Sequence, residues 1–208
     1  MLHFETVEPN TLSVLNELMN MPELMDFSLV GCTALSLLYG HRISVDLDLF
    51  SHQPFENEII IKALERKFVS SFSYRSTNPR FGIFCFINDV KIDIVRHPHP
   101  IIRPQLLFDG IRMFSTEDII AMKVQAILGR GKKKDFWDIA TLLEHYSIAD
   151  FIQLHKEKYA TQNLLITVPQ AITYFLDADE SEEPISLKCQ TWDSVKGFIS
   201  GRVREYLR

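Results

Sequence analysis

The sequence predicts an α+β protein, with an α/β-type mixed sheet in residues 1–114 and a helical segment in residues 115–208. Three observations carry this expectation. Apolar and polar residues alternate in VDLDLF and again in VKIDIV, which is the period of a half-buried strand. The pair Asn88-Asp89 separates two strand-like runs and suits a tight turn, so those runs form an antiparallel hairpin. After GIRMF the periodicity becomes helical and stays so to the last residues, which places a boundary near Phe114.

The elements follow in order. From Asn10 to about Met21, Leu12, Leu15, Leu18 and Met19 recur at helical spacing behind an Asn/Thr cap. FSLVG, from Phe27 to Gly31, reads as a short buried strand, and TALSLLYG as a helix closed by Gly40. In VDLDLF, Val45, Leu47 and Leu49 share one face while Asp46 and Asp48 share the other. ENEIIIKALERKF is helical, and FVSSFSY, RFGIFCFIND and VKIDIVRHP are strand-like. STEDIIAMKVQAILGR opens with a Ser/Thr cap and acidic first-turn residues, as a helix does. KKKDFWDIATLLEHY, IADFIQLHKEKYA, LLITVPQAITYF and WDSVKGFISGRVREYL continue in that pattern, with Pro169 as a first-turn residue or an interruption. DADESEEPIS is acidic and reads as an exposed loop.

Composition narrows the functional classes. Of 208 residues, 46% are hydrophobic and 24% charged, enough for one core or for two small lobes sharing an interface. A net charge of -5 excludes wholesale coating of nucleic acid, while leaving room for a local basic patch. Cys32, Cys85 and Cys189 lack metal or disulfide spacing and read as buried thiols of a reducing compartment. With no membrane-length apolar run and no signal-peptide pattern, a cytoplasmic protein is expected.

The chemistry concentrates on three aspartates. Asp46 and Asp48, two residues apart on a strand, lie roughly 6.5 Å apart along it and point the same way. Two carboxylates at that range repel by about 2 kcal/mol at an intermediate dielectric, and a divalent cation reverses the sign. Mg²⁺ suits such a pair because it takes a few carboxylate oxygens together with substrate phosphates. Asp93, on a second strand with the same alternation, would complete a two-metal site. A solvated strand face, with Asp93 paired to Lys91 or Arg96, is the bland alternative. Gly31 lets backbone N–H groups approach phosphate at a helix start, and Thr33 adds a hydroxyl. Lys123 falls in the apolar stripe of its helix with Ile119, Ile120 and Ile127. A buried lysine needs a partner, and Asp135 on the next helix offers one; a substrate-facing lysine and a helix-pinning ion pair are equally open. Arg130, Lys132, Lys133 and Lys134 form a basic cluster fit for phosphates or for a solvated turn. His97 and His99 lack metal-ligand partners, and Phe136 and Trp137 read as core.

Together, FSLVGCTALSLLYGHRISVDLDLF, KIDIV and IIAMKVQAILGRGKKKDFWDIATLL resemble the AbiEii/AbiGii toxin family of nucleotidyltransferases, over roughly Phe27 to Leu143. The resemblance implies the DNA polymerase β-like nucleotidyltransferase fold, as a nucleotidyltransferase-like N-terminal lobe with a C-terminal helical lobe. It places Asp46, Asp48 and Asp93 on the metals, two Mg²⁺ ions being implied. Gly31, Cys32 and Thr33 fall in the turn that holds the nucleotide phosphates, with Arg42 and Ser44 of GHRISVDLDLF beside them. Lys123 and Asp135 match the motif of the helical lobe. Cys32 stands where the family usually has glycine. The function implied is NMP transfer from an NTP to an acceptor such as tRNA, in a toxin–antitoxin or phage-defence setting with a cognate antitoxin. The rivals are a catalytically degenerate binding protein and a metal-dependent phosphodiesterase.

Overall fold

The computed structural model describes residues 1–74 and 82–208. Its centre is a seven-stranded mixed sheet of β1 (Ser28–Val30), β2 (Leu47–Ser51), β3 (Phe72–Tyr74), β4 (Gly82–Ile87), β5 (Val90–Arg96), β6 (Leu106–Phe108) and β7 (Ile111–Met113). The strand order is β3-β4-β5-β2-β1-β7-β6. The early helices are α1 (Pro9–Met19), α2 (Gly31–Tyr39) and α3 (Asn57–Phe68). The later ones are α4 (Thr116–Gly129), α5 (Lys133–Leu142), α6 (Ile148–Lys158), α7 (Val168–Ile172), α8 (Leu176–Asp179) and α9 (Trp192–Tyr206).

Strand pairing follows from the alternation. β2 runs parallel to β5, with Leu47 opposite Ile92 and Leu49 opposite Ile94, all four buried. Their apolar rows form one face of the sheet; α1 packs on β5 and β7, and α3 on β3 and β4. The intervening residues, Asp48 and Phe50 on β2 and Asp93 and Val95 on β5, are half-buried and form the opposite face. The β4–β5 hairpin turns at Asn88-Asp89, whose positive φ values of 49° and 63° are those of a primed two-residue turn.

Several expectations need correction. The strand carrying the aspartates begins at Leu47, so Asp46 precedes it, and Val45 is 51% exposed instead of belonging to the buried row. The cap of α1 is Glu8, without a side-chain hydrogen bond, because Pro9 already supplies a preset φ at the first helical position. Val69–Ser71 form a 3₁₀ turn, leaving only Phe72–Tyr74 as strand. Residues 80 and 81 of the run RFGIFCFIND lie outside the described residues. The β6–β7 hairpin, turning at Asp109 and Gly110 with φ of 50° and 81°, was not expected. LLITVPQAITYF is helical only over Val168–Ile172. The acidic segment includes α8, and its end pairs with the loop after α2 through an Ile43 N–H bond to Ile185 O and a Leu187 N–H bond to His41 O, each 2.9 Å. Cys189 is exposed, not buried, at a positive φ of 54°.

One hydrophobic core runs through the sheet and the later helices, where Phe114, Phe136, Trp137 and Phe151 are fully buried. A buried ion pair joins α4 and α6. Lys158 Nζ lies 2.6 Å from Asp118 Oδ1, and neither side chain is exposed. Lys158 also donates to Pro100 O, while Asp118 accepts from Ile102 N–H, Arg103 N–H and the Ser115 hydroxyl. The loop after β5 is thereby clamped between α4 and α6. We expect Lys158→Met to cost about 1.5–3 kcal/mol, the scale of one charged hydrogen bond, since Asp118 keeps the Ile102, Arg103 and Ser115 donors. Chemical denaturation of the variant tests this; a variant as stable as the parent would refute the clamp.

Candidate active site

A cavity of about 620 Å³ opens between the half-buried sheet face and helices α4 and α5. Its wall on the sheet side carries Asp46, Asp48 and Asp93. Asp48 and Asp93 are cross-strand partners on β2 and β5, so their side chains leave the same face about 4.8 Å apart in strand spacing. Burial and the neighbouring Asp93 push the Asp48 carboxyl up to about 6. Lys91 Nζ lies 2.8 Å from Asp93 Oδ2, and from the opposite wall Lys134 Nζ comes within 3.4 Å of Asp46 Oδ2. The surface pairing of Asp93 with Lys91 is therefore real, yet Asp93 Oδ1 stays buried without a hydrogen-bond partner. A buried carboxylate oxygen with no donor is costly unless a cation or a ligand proton completes it.

Gly31 stands over this cluster as the first residue of α2, with φ of 70°. A Cβ there would lie 2.9 Å from Asp48 Oδ2, so both the backbone conformation and the close approach require glycine. Cys32 does not share the positive φ, and its side chain is buried with Sγ 3.1 Å from Lys123 Nζ. A side chain is accommodated there beside Lys123, at the edge of the cavity.

Thr33, Ser44 and Arg42, expected on the nucleotide, bond within the protein, and Arg42 and Ser44 also line a second cavity beside Asp46 and Lys134. The Thr33 hydroxyl bonds Ser44 Oγ at 2.8 Å and donates to the Asp46 carbonyl, which fixes the chain just ahead of β2. Arg42 is 2% exposed, with Nε and Nη2 at 2.8 and 3.0 Å from the two oxygens of Asp138. All three are occupied by the protein itself; they position the carboxylates from behind.

Lys123 and Asp135 do meet, at 3.0 Å, and both line the floor of the cavity. Lys123 Nζ is closer still to Asp138 Oδ2, at 2.6 Å, and is 5% exposed. Burial opposes its charge, but Asp138 leads the neighbours that outweigh it and hold the pKa well above the ordinary lysine value. Conversely burial disfavours the Asp138 carboxylate, while Arg42 and Lys123 hold its pKa well below the usual range. His41 Nε2 adds a contact at 2.8 Å. Cys32, Asp135 and Asp138 converge closely enough to hold a metal ion, but the Lys123 ammonium already lies within 3.1 Å of all three. Sequence reasoning missed Asp138. Its signal was the i, i+3 spacing from Asp135 on one helix face.

Lys134 and the other cluster members Arg130 and Lys132 line the wall opposite the aspartates, whereas the Lys133 backbone N–H binds Ser181 Oγ. His97, set aside as a ligand, also lines the cavity, as do Phe50 and Tyr159.

Carboxylates on a mixed sheet, a glycine-started helix beside them and a helical wall across the cleft together define a protein of nucleotidyltransferase fold. The chain belongs to the AbiEii nucleotidyl transferase toxin family (type IV TA system), whose model matches residues 13–190. MenT4, a nucleotidyltransferase toxin of Mycobacterium tuberculosis, superposes with a TM-score of 0.59 at 12% identity, over 90% of this chain and 81% of that one. JHP933 of Helicobacter pylori gives 0.58 at 17% identity, over 96% and 92%. An uncharacterized protein of Aquifex aeolicus is 32% identical over 189 residues, 88% of either chain. No helix among the described residues is long and apolar enough to cross a membrane.

Proposed function

We propose that the protein transfers NMP from an NTP to a nucleic-acid acceptor such as tRNA, as a cytoplasmic toxin held in check by a cognate antitoxin. In this reading residues 1–114 form the lobe carrying the carboxylates and residues 115–208 the lobe that closes over the nucleotide. The single observation behind it is the carboxylate cluster: Asp46, Asp48 and Asp93 on one wall, with the orphaned Asp93 Oδ1 among them. The donor set is all oxygen and incomplete without phosphate, which fits Mg²⁺. Bound there by the three aspartates, Mg²⁺ would neutralise triphosphate charge and lower the pKa of the acceptor hydroxyl.

The chain's own residues supply the rest. Lys134 and Lys91, paired with Asp46 and Asp93 in the free protein, are placed to exchange those carboxylates for phosphate oxygens. Gly31 keeps the approach to Asp48 open. The acceptor oxygen bonds to the α-phosphorus as the bond to the β-bridging oxygen breaks, pyrophosphate leaves, and the hydroxyl proton passes to Asp93 Oδ1.

Incubation with each α-labelled NTP, Mg²⁺ and total tRNA tests the reading. We expect label to migrate with RNA. Label released as free NMP would replace transfer by phosphodiester hydrolysis, and binding without turnover would mark a degenerate relative.

A further inference from the structure

The carboxylates account for only one end of the cavity. The other end is an apolar slot, and its geometry is set by the same two strands. On β2, Phe50 follows Asp48 by two residues on the same face, roughly 6.6 Å further along. On the neighbouring strand, Val95 lies opposite Phe50, and His97 follows two residues later, four beyond Asp93 or roughly 13 Å along the strand direction. His97 N–H binds Ser51 O at 2.7 Å, so it keeps the strand register past the end of β5. Across the gap, Met122, Gln125 and Ala126 present one face of α4, at i, i+3 and i+4, and all three are half-buried. Tyr159 closes the far end, its ring centroid 6.2 Å from that of His97.

Two polar groups converge on this otherwise apolar slot. His97 Nε2 is buried and has no hydrogen-bond partner. Burial, reinforced by Lys158, pushes its pKa down to about 3, so the ring is neutral at any physiological pH. Gln125 Oε1 is held by His155 Nε2 at 3.0 Å, which leaves its amide NH₂ free for a ligand. An aromatic platform facing a thioether, with two edge-directed polar groups beyond, is the arrangement that receives a planar heterocycle and reads its rim.

Resting on the reading of the carboxylates as a triphosphate site, we propose that this slot is the nucleobase subsite. The base lies between Phe50 and Met122, and His97 Nε2 with the Gln125 amide reads its hydrogen-bonding edge, so that these residues set which NTP is used. The strand supplies the ruler: phosphates at the Asp48–Asp93 row, the ring at the Phe50 row, the base edge at the His97 row.

Equilibrium binding of the four NTPs and of inorganic tripolyphosphate, with Mg²⁺ and without an acceptor, tests this apart from catalysis. The parent protein is expected to bind one NTP in preference to the others and more tightly than tripolyphosphate. Phe50→Ala is expected to lower NTP affinity roughly tenfold, the scale of one lost base–aromatic stack. His97→Ala should flatten the preference among bases by several-fold, as loss of one hydrogen bond does. Met122→Trp, which fills the slot instead of emptying it, should block NTPs, and all three variants should hold tripolyphosphate as the parent does. Equal binding of all NTPs and tripolyphosphate, or an unchanged preference in folded variants, would overturn the slot while leaving the transfer reading standing. Failure of the parent to bind either NTP or tripolyphosphate would overturn both.

Discussion

Asp138→Ala should be strongly destabilising, lowering the melting temperature by on the order of 10 °C. Asp138 is the carboxylate that both Arg42 and Lys123 contact, at 2.8–3.0 Å and 2.6 Å, and its own side chain is completely buried. Removing it leaves the buried Arg42 without its carboxylate and Lys123 with the Asp135 carboxylate alone, at about 3–5 kcal/mol for breaking a buried pair. In a chain of this length each kcal/mol corresponds to roughly 2–4 °C. Lys123→Met should cost less. It keeps the stem's apolar contacts, and afterwards Asp138 retains Arg42 and His41 while Asp135 retains the Lys132 N–H. The ranking is the informative part. The network joins the loop after α2 to α4 and α5, so it fixes how the helical wall faces the carboxylates. Thermal melts of both variants decide it. If Lys123→Met proved the more damaging, the hub would be the lysine, and Asp138 merely one of its partners.

What the sequence disclosed, and what it withheld, follows from the range of the interactions. Alternation is local, so the opposed faces of Leu47/Leu49 and Asp48, and of Ile92/Ile94 and Asp93, could be read directly. The Asn88-Asp89 turn needs only its own φ values and was legible too. The β6–β7 hairpin was not, because strands of three residues contain too little alternation to register, although Asp109-Gly110 is itself a turn signal. Charged residues in apolar runs announce that they need partners without saying which. Lys123 was matched to Asp135 on the next helix, but the shorter contact to Asp138 depends on how α4 packs on α5, and Arg42 reaches Asp138 from 96 residues away. The motif around Arg42, Ser44 and Thr33 marked the right neighbourhood, but the contacts these side chains make with Asp138, with one another and with the Asp46 carbonyl could not be read from spacing. His97 was dismissed for lack of ligand spacing, and only the folded chain shows its ring in the cavity.

Asp48→Asn should cut transfer by about two to three orders of magnitude and at the same time stabilise the metal-free protein. The two effects share a cause. In the fold the Asp48 carboxyl titrates at about 6, above its unfolded value near 3.8, because burial and then Asp93 disfavour its charge. A group with a raised folded pKa contributes stability that is complete below about pH 4 and is lost as pH rises through about 6. At pH 7 without metal the parent has therefore lost that contribution, and the neutral amide has not. We expect the variant to be the more stable there by roughly 1–3 kcal/mol, converging with the parent near pH 4. Adding Mg²⁺ should raise the parent's melting temperature at pH 7 and move the variant's little, since one of three carboxylate ligands is missing. Transfer should fall on the order of 10²–10³-fold, the cost of deleting one preorganised charge contact in a reaction centre. Melting curves from pH 4 to 7 in chelator, repeated with Mg²⁺, provide the check. A variant less stable than the parent at pH 7 without metal would show that Asp48 is held by donors of the fold, and that the repulsion with Asp93 is not what its position costs.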